Sequence, residues 1–386
     1  MVPEKAAVPE QAPRIEPFRI DIPQAQLDDL DRRLAATRWP DELPAAGRAY
    51  GVPLGETRDL VGYWRDGYDW RRQEQRLNAV PQFITRIDGQ TVHFLHVRST
   101  VPGALPLVLT HGWPGSVLEF LAVIGPLTDP AAHGGDARDA FHVVVPSLPG
   151  YGFSGPTTDR GWTQHRVARA WAVLMDALGY DRYGAQGGDI GSGVSRHLGQ
   201  IAPDHVAGVH LNFLLTPPTG DPAQFTPEER AAAERLSYFN REGSGYFREQ
   251  STRPQTLAYA LTDSPAGLAA WIGEKFTEWS DPASRISRDD VLTDVMLYWL
   301  TGTVNSSFRM YWEHFHAPGG GAPRPSRTPT GIAIFPHEIA PPVRAIAEQT
   351  SNIVHWSPQP RGGHFAALEE PGLLVDDIRA FFRPLR

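Results

Sequence analysis

Asp189 lies in the run Gln186-Gly187-Gly188-Asp189-Ile190-Gly191-Ser192, between an apolar stretch, Tyr183–Gln186, and a helix-compatible segment. Its Gly-x-Asp-x-Gly spacing lets the backbone crowd and turn sharply, so that the central side chain projects from a strand end. That is the frame of a nucleophile elbow, with Asp where Ser is usual. No Gly-x-Ser-x-Gly occurs in the chain. The same residues also suit an ordinary turn with Asp189 as a helix cap. If Asp189 is the nucleophile, its chemistry is restricted. A carboxylate attacking an acyl group gives an anhydride, whereas attack on a saturated carbon gives an alkyl ester that water can cleave. The residue type therefore favours an epoxide or an alkyl halide over an ester or amide.

Cleaving that ester requires activated water. Arg361-Gly362-Gly363-His364-Phe365 follows the last strand-like run, and the pKa of a His there suits general-base work. A third group should fix the imidazole tautomer. Glu338 ends Phe335-Pro336-His337-Glu338, with Glu348, Glu369 and Glu370 as alternatives. The chain order Asp189, Glu338, His364 matches nucleophile, acid, base. His111-Gly112-Trp113-Pro114-Gly115-Ser116 makes a tight loop after Leu107–Thr110. Its Trp113 N–H, with the N–H of Ile190, would form an oxyanion hole, although a plain structural turn fits that loop too. Pro149–Gly155 is a second glycine-rich turn that lacks the Gly-x-x-x-x-Gly-Lys of a phosphate loop. His314-Phe-His316 has no clear third ligand, so neither metal nor cofactor is expected.

These groups need a scaffold. Residues 1–16 read as a flexible tail, and a helix with Leu27, Leu30 and Leu34 on one face stops at Arg38-Trp39-Pro40. One further helix is expected over Thr57–Leu77. Asp88-Gly89 between Phe83–Ile87 and Thr91–Val97 predicts a hairpin. From Leu107 short apolar runs alternate with helical segments: Leu107–Thr110, Phe141–Val145, Tyr183–Gln186, Val206–Phe213, Gly331–Phe335 and Ile353–Trp356. Strands alternating with helices imply an α/β protein, its mostly parallel sheet covered by helices on both faces and its chemistry at the strand carboxyl ends. Thr216–Arg309 breaks the rhythm with helix-rich, aromatic sequence, and His316–Pro323 reads as a loop. The resulting division is tail 1–16, amino-terminal region 17–100, core 101–215, helical lid 216–325 and core 326–386.

Composition narrows the classes. The 386 residues carry 36 Lys and Arg against 44 Asp and Glu, a net charge of −8 that argues against a nucleic-acid partner. Cysteine is absent, which excludes disulfides and thiolate catalysis. No apolar run reaches the roughly 18 residues needed to cross a membrane. Met1–Glu16 has no apolar signal core, so a cytoplasmic location is expected.

Taken together, the chain from about Pro17 resembles an epoxide hydrolase of the α/β-hydrolase superfamily, specifically the microsomal-type group in a soluble, bacterial-like form. The likeness rests on Arg38-Trp39-Pro40, His-Gly-Trp-Pro-Gly-Ser, Gly-Gly-Asp-Ile-Gly-Ser and Arg-Gly-Gly-His-Phe-Ala-Ala. It implies the α/β-hydrolase fold with a lid and an amino-terminal extension, and hydrolysis of an epoxide to a vicinal diol in detoxification or secondary metabolism. It also implies Asp189 as nucleophile, His364 as base and Glu338 as its acid partner. Tyr246 and Tyr311 would grip the epoxide oxygen, with Tyr298 and Tyr259 as substitutes. The expected partners are water and a small epoxide, apolar or aromatic given the many aromatic residues; a homodimer stays open. A haloalkane dehalogenase would use the same Asp, but Ile190 stands where dehalogenases commonly place Trp. A non-catalytic binding protein of this fold is the remaining alternative.

Overall fold

The computed structural model describes residues 13–284, 286–317 and 324–386. Residues 1–12 of the expected tail and 318–323 of the glycine-rich loop lie outside the described residues.

One nine-stranded sheet runs through the molecule in the order β1-β2-β3-β5-β4-β6-β7-β8-β9. The strands are β1 (Glu16–Phe18), β2 (Gln82–Ile87), β3 (Gln90–Val97), β4 (Leu105–Thr110), β5 (Phe141–Pro146), β6 (Tyr183–Gly187), β7 (Val206–Leu211), β8 (Ser326–Ile334) and β9 (Ser351–Pro358). β1, β2 and β3 pair antiparallel, β3 joins β5 antiparallel, and every later pairing is parallel. β7 is buried along its whole length, as a parallel strand covered on both faces must be. The β2–β3 turn is the expected Asp88-Gly89, both with positive φ (51° and 74°), a twist that matches the flanking strands.

The helices are α1 (Gln24–Ala35), α2 (Leu54–Asp66), α3 (Trp70–Asn78), α4 (Leu121–Thr128), α5 (Gln164–Ala177), α6 (Asp189–Ile201), α7 (Pro227–Tyr238), α8 (Gly245–Thr252), α9 (Pro254–Asp263), α10 (Pro265–Glu278), α11 (Arg288–Thr301), α12 (Val304–His316), α13 (Arg344–Ala347), α14 (Ala366–Glu369) and α15 (Pro371–Phe382). The single helix expected over Thr57–Leu77 is instead α2 and α3. Gly67 ends the first, and the Asp69 carboxylate caps the second by accepting from Arg71 and Arg72 N–H. Residue 16, assigned to the tail, belongs to β1, which pairs with β2 through Glu16–Ile84. α7 to α12 lie between β7 and β8, over the carboxyl ends of the strands.

Candidate active site

Asp189 stands immediately after β6 as the first residue of α6, with φ 46°. A non-glycine residue in this left-handed region is strained, and such strain concentrates at functional turns. The flanking glycines are demanded by close approach. A Cβ at Gly187 would lie 2.2 Å from the Gly191 carbonyl oxygen, and one at Gly191 would lie 1.9 Å from that of Thr110. The elbow is thus pressed against the end of β4, and the loop leaving β4 passes in front of it. From that loop the Trp113 N–H donates to Asp189 Oδ1 at 2.9 Å. The Trp113–Pro114 peptide is cis. Ile190 N–H lies in the first turn of α6, where amides have no intrahelical acceptor.

The base arrives from the loop after β9. His364 Nε2 lies 3.4 Å from Asp189 Oδ2, and Nδ1 lies 2.7 Å from Glu338 Oε1. Both side chains are 3% exposed. The loops carrying acid and base are tied directly: His337 N–H donates to the Gly362 carbonyl at 3.1 Å. The far side of the base loop hangs on the segment after α10. His364 N–H donates to the Trp279 carbonyl at 2.9 Å, and Gly362 N–H to Asp281 Oδ2 at 2.9 Å. His337 lies 3.5 Å from Asp281, so this neighbour of Glu338 braces the same segment. The other acids are engaged elsewhere. Glu369 accepts from Asp281, Ser284 and Phe365, Glu370 pairs with Arg361, and Glu348 pairs with Arg344.

Electrostatics fit a charged relay. Burial opposes charge on His364, but the Glu338 carboxylate and hydrogen bonds to Asp189 and Glu338 outweigh it, holding the imidazole pKa well above its ordinary value. Beside it, His111 is pushed down to about 4 by burial, and its Nε2 accepts from Leu148 N–H at 3.1 Å.

Tyr246 of α8 and Tyr311 of α12 descend from the lid, 6% and 7% exposed. Trp113 orients both, stacking on Tyr246 at 5.0 Å and meeting Tyr311 edge-on at 6.1 Å. Burial pushes both phenols well above their usual range, and the Asp189 charge adds to this, so each stays a proton donor. Of the substitutes, Tyr298 donates to the Gly115 carbonyl at 2.8 Å, and Tyr259 is 74% exposed. Asp189, Ile190, Tyr246 and Tyr311 share a cavity of about 290 Å³ with Phe213, Phe247, Met310 and Ile339. A larger groove of about 550 Å³ between α2 and α10 contains none of these groups. Among the described residues no group of His, Asp and Glu could hold a metal ion, and no helix is long and apolar enough to cross a membrane.

Sequence reasoning missed Glu119, which lies close enough to Asp189 and His364 to feel their charges. Its signal in the sequence, the Ser116-x-x-Glu119 spacing, reads as a helix cap.

Comparison with known proteins shows the family. Residues 15–120 match the family described as epoxide hydrolase N terminus, and residues 106–242 match the alpha/beta hydrolase fold. A Stigmatella aurantiaca relative is 50% identical over 96% of this chain and 86% of its own length. Epoxide hydrolase 1 of Sus scrofa is 37% identical, covering 95% of this chain and 88% of its own. The structure of Aspergillus niger epoxide hydrolase superposes with a TM-score of 0.86 at 36% identity over 97% of both chains. Juvenile hormone epoxide hydrolase from Bombyx mori gives 0.84 at 31% identity over 97% of this chain and 94% of its own.

Proposed function

The chain belongs to the epoxide hydrolase family, its reaction is hydrolysis of an epoxide to a vicinal diol, and we propose that it runs through an alkyl ester on Asp189. The observation that carries the proposal is the juxtaposition of the Asp189 carboxylate, 3.4 Å from a buried His364–Glu338 pair, with two protonated phenols lining the same cavity.

In the first half-reaction Asp189 Oδ2 attacks a ring carbon. The carbon–oxygen bond of the ring breaks, and the oxygen takes a proton from Tyr246 or Tyr311, leaving a phenolate. Esterification then removes the Asp189 charge that had favoured the imidazolium, so His364 becomes more readily neutral and able to act as base. In the second half-reaction a water oxygen attacks Asp189 Cγ and gives its proton to His364. The tetrahedral oxyanion is held by Trp113 N–H, which already bonds Oδ1, and by Ile190 N–H. Collapse breaks the bond between Cγ and the alkyl oxygen, which takes the proton held by His364 and becomes the second hydroxyl, while the attacking water's other proton stays on the restored Asp189 carboxyl. The diol leaves, and that carboxyl proton passes to the phenolate, restoring the Asp189 carboxylate and the tyrosine.

The cavity supports a compact apolar or aromatic epoxide. Its volume is at the lower end of ligand pockets, and Phe213, Phe247, Met310 and Ile339 supply apolar walls. Ile190 offers no indole to bind a leaving halide, which favours the epoxide over the haloalkane reading. The test is diol formation from a panel of aryl and alkyl epoxides. Activity is expected with the wild type and none with Asp189→Ala. Undiminished turnover by Asp189→Ala would overturn the proposal.

A further inference from the structure

Asp189 lies against two cavities whose linings share no other residue. One is the apolar cavity beneath the tyrosines. The other is a small space of about 10 Å³ bounded by Gly112, Gly115, Glu119, Phe120 and His364. That volume is about one water molecule's, and a buried water needs two to four polar partners. The small cavity supplies them: the Asp189 carboxyl, the His364 imidazole and the Glu119 carboxyl.

Glu119 is carried on the short helical turn Val117–Phe120 and folds back over the preceding loop. A Cβ at Gly115 would lie 1.6 Å from Glu119 Oε1, so the carboxyl occupies the space a side chain at 115 would fill. Burial raises the Glu119 pKa to about 8, His364 opposes this, and Asp189 adds to it. The group is therefore mostly neutral at pH 7, and it offers water a hydrogen-bonding carboxyl without a second negative charge beside the nucleophile.

We propose that Glu119 is a further catalytic residue, the group that binds and aligns the water consumed when the Asp189 ester is hydrolysed. The inference rests on the ester mechanism above. The water donates one proton to His364 Nε2 and the other, as a hydrogen bond, to the Glu119 carbonyl oxygen. This turns a lone pair toward Asp189 Cγ from the side opposite the substrate. Glu119 neither gains nor loses a proton overall, and the atom balance of the hydrolysis is unchanged. A residue that only capped the Val117–Phe120 turn would affect stability and leave the two half-reactions in their original ratio.

The experiment separates those half-reactions by rapid-quench single turnover with a terminal aryl epoxide, following the alkyl adduct by intact-protein mass. Glu119→Met removes the acceptor, Glu119→Asp withdraws the carboxyl by one methylene, and Glu119→Gln keeps an acceptor oxygen in place. Adduct formation should stay within about twofold of wild type in all three. Adduct hydrolysis should slow by about 30-fold or more in Glu119→Met and about tenfold in Glu119→Asp, while Glu119→Gln stays within about fivefold. If Glu119→Met does not fold, Glu119→Asp decides. Wild-type hydrolysis in Glu119→Asp, or parallel slowing of both steps, overturns the proposal. A control with His364→Gln, which should trap the adduct, distinguishes the two failures: no adduct there would remove the ester mechanism itself.

Discussion

Gly112 and Asp189 are in such close contact that a Cβ on the glycine would lie 2.2 Å from the carboxylate Oδ1 and 2.3 Å from its Cβ. The glycine of the β4 loop is therefore the space into which the nucleophile fits. Gly112→Ala should displace the carboxylate while leaving its chemistry intact. A displacement approaching 1 Å costs on the order of 10²-fold in rate. Steady-state kinetics should show that loss in kcat/KM with diol still the product. Unchanged kinetics would mean that the loop yields freely.

The phenols should act in ring opening and not in ester hydrolysis. Tyr246→Phe and Tyr311→Phe each keep the ring that packs on Trp113 at 5.0 or 6.1 Å but lose the proton donor. Loss of one donor should slow adduct formation by about 10²-fold, and loss of both by more, with a preformed adduct hydrolysing near the wild-type rate. Pre-steady-state rates of the two steps check this directly.

Glu338 governs the pH dependence. His364 must be neutral to accept a proton from water, so hydrolysis should rise with pH through its pKa. Burial opposes the imidazolium, and the Glu338 charge is foremost among the effects that favour it. Glu338→Gln should therefore shift the rising limb to lower pH while reducing the plateau by about 10²-fold or more, because the imidazolium formed in the step loses its counter-charge. A pH profile of the hydrolysis step measures both changes.

Fold stability should fall in acid for a separate reason. His93 and His111 are buried, and burial holds them near 3 and 4. Their unfolded counterparts titrate near 6.5. Above that value both states are neutral and nothing is lost. As the pH falls below it, the unfolded chain binds protons that the folded chain refuses, and stability declines by about 1.4 kcal/mol per pH unit for each group. Thermal unfolding from pH 7 to pH 4.5 should show a falling Tm, with a shallower slope in His93→Gln provided that variant keeps the Ser147 and Gln82 contacts.

The residues that turn the chain left clear traces in the sequence; those that only fill space or extend an edge did not. Gly187-x-Asp189-x-Gly191 was legible because each glycine answers a steric demand that follows from the elbow itself. The Asp189, Glu338, His364 order was legible because each follows a parallel strand. β1 was hidden because Glu16–Phe18 acquires strand character only from its pairing with β2. β8 begins at Ser326, earlier than its apolar run, because Pro329 sits at a register shift where the ladder tolerates it. The break between α2 and α3 depends on a cap, Asp69, in a stretch whose apolar spacing continues across it. Glu119 reads in sequence only as part of a helix cap, because the Gly115 backbone it covers and the His364 that shares its cavity are brought there by folding.

The most direct test of the ester mechanism is a single turnover with enzyme in excess in ¹⁸O-enriched water, followed by proteolysis and mass analysis of the peptide containing Asp189. If Asp189 attacks the ring, the first diol carries an unlabelled oxygen taken from the carboxylate, and the Asp189 peptide gains one heavy oxygen. A diol labelled in that first turnover, with no label on Asp189, would mean that water attacks the epoxide directly and would contradict the account.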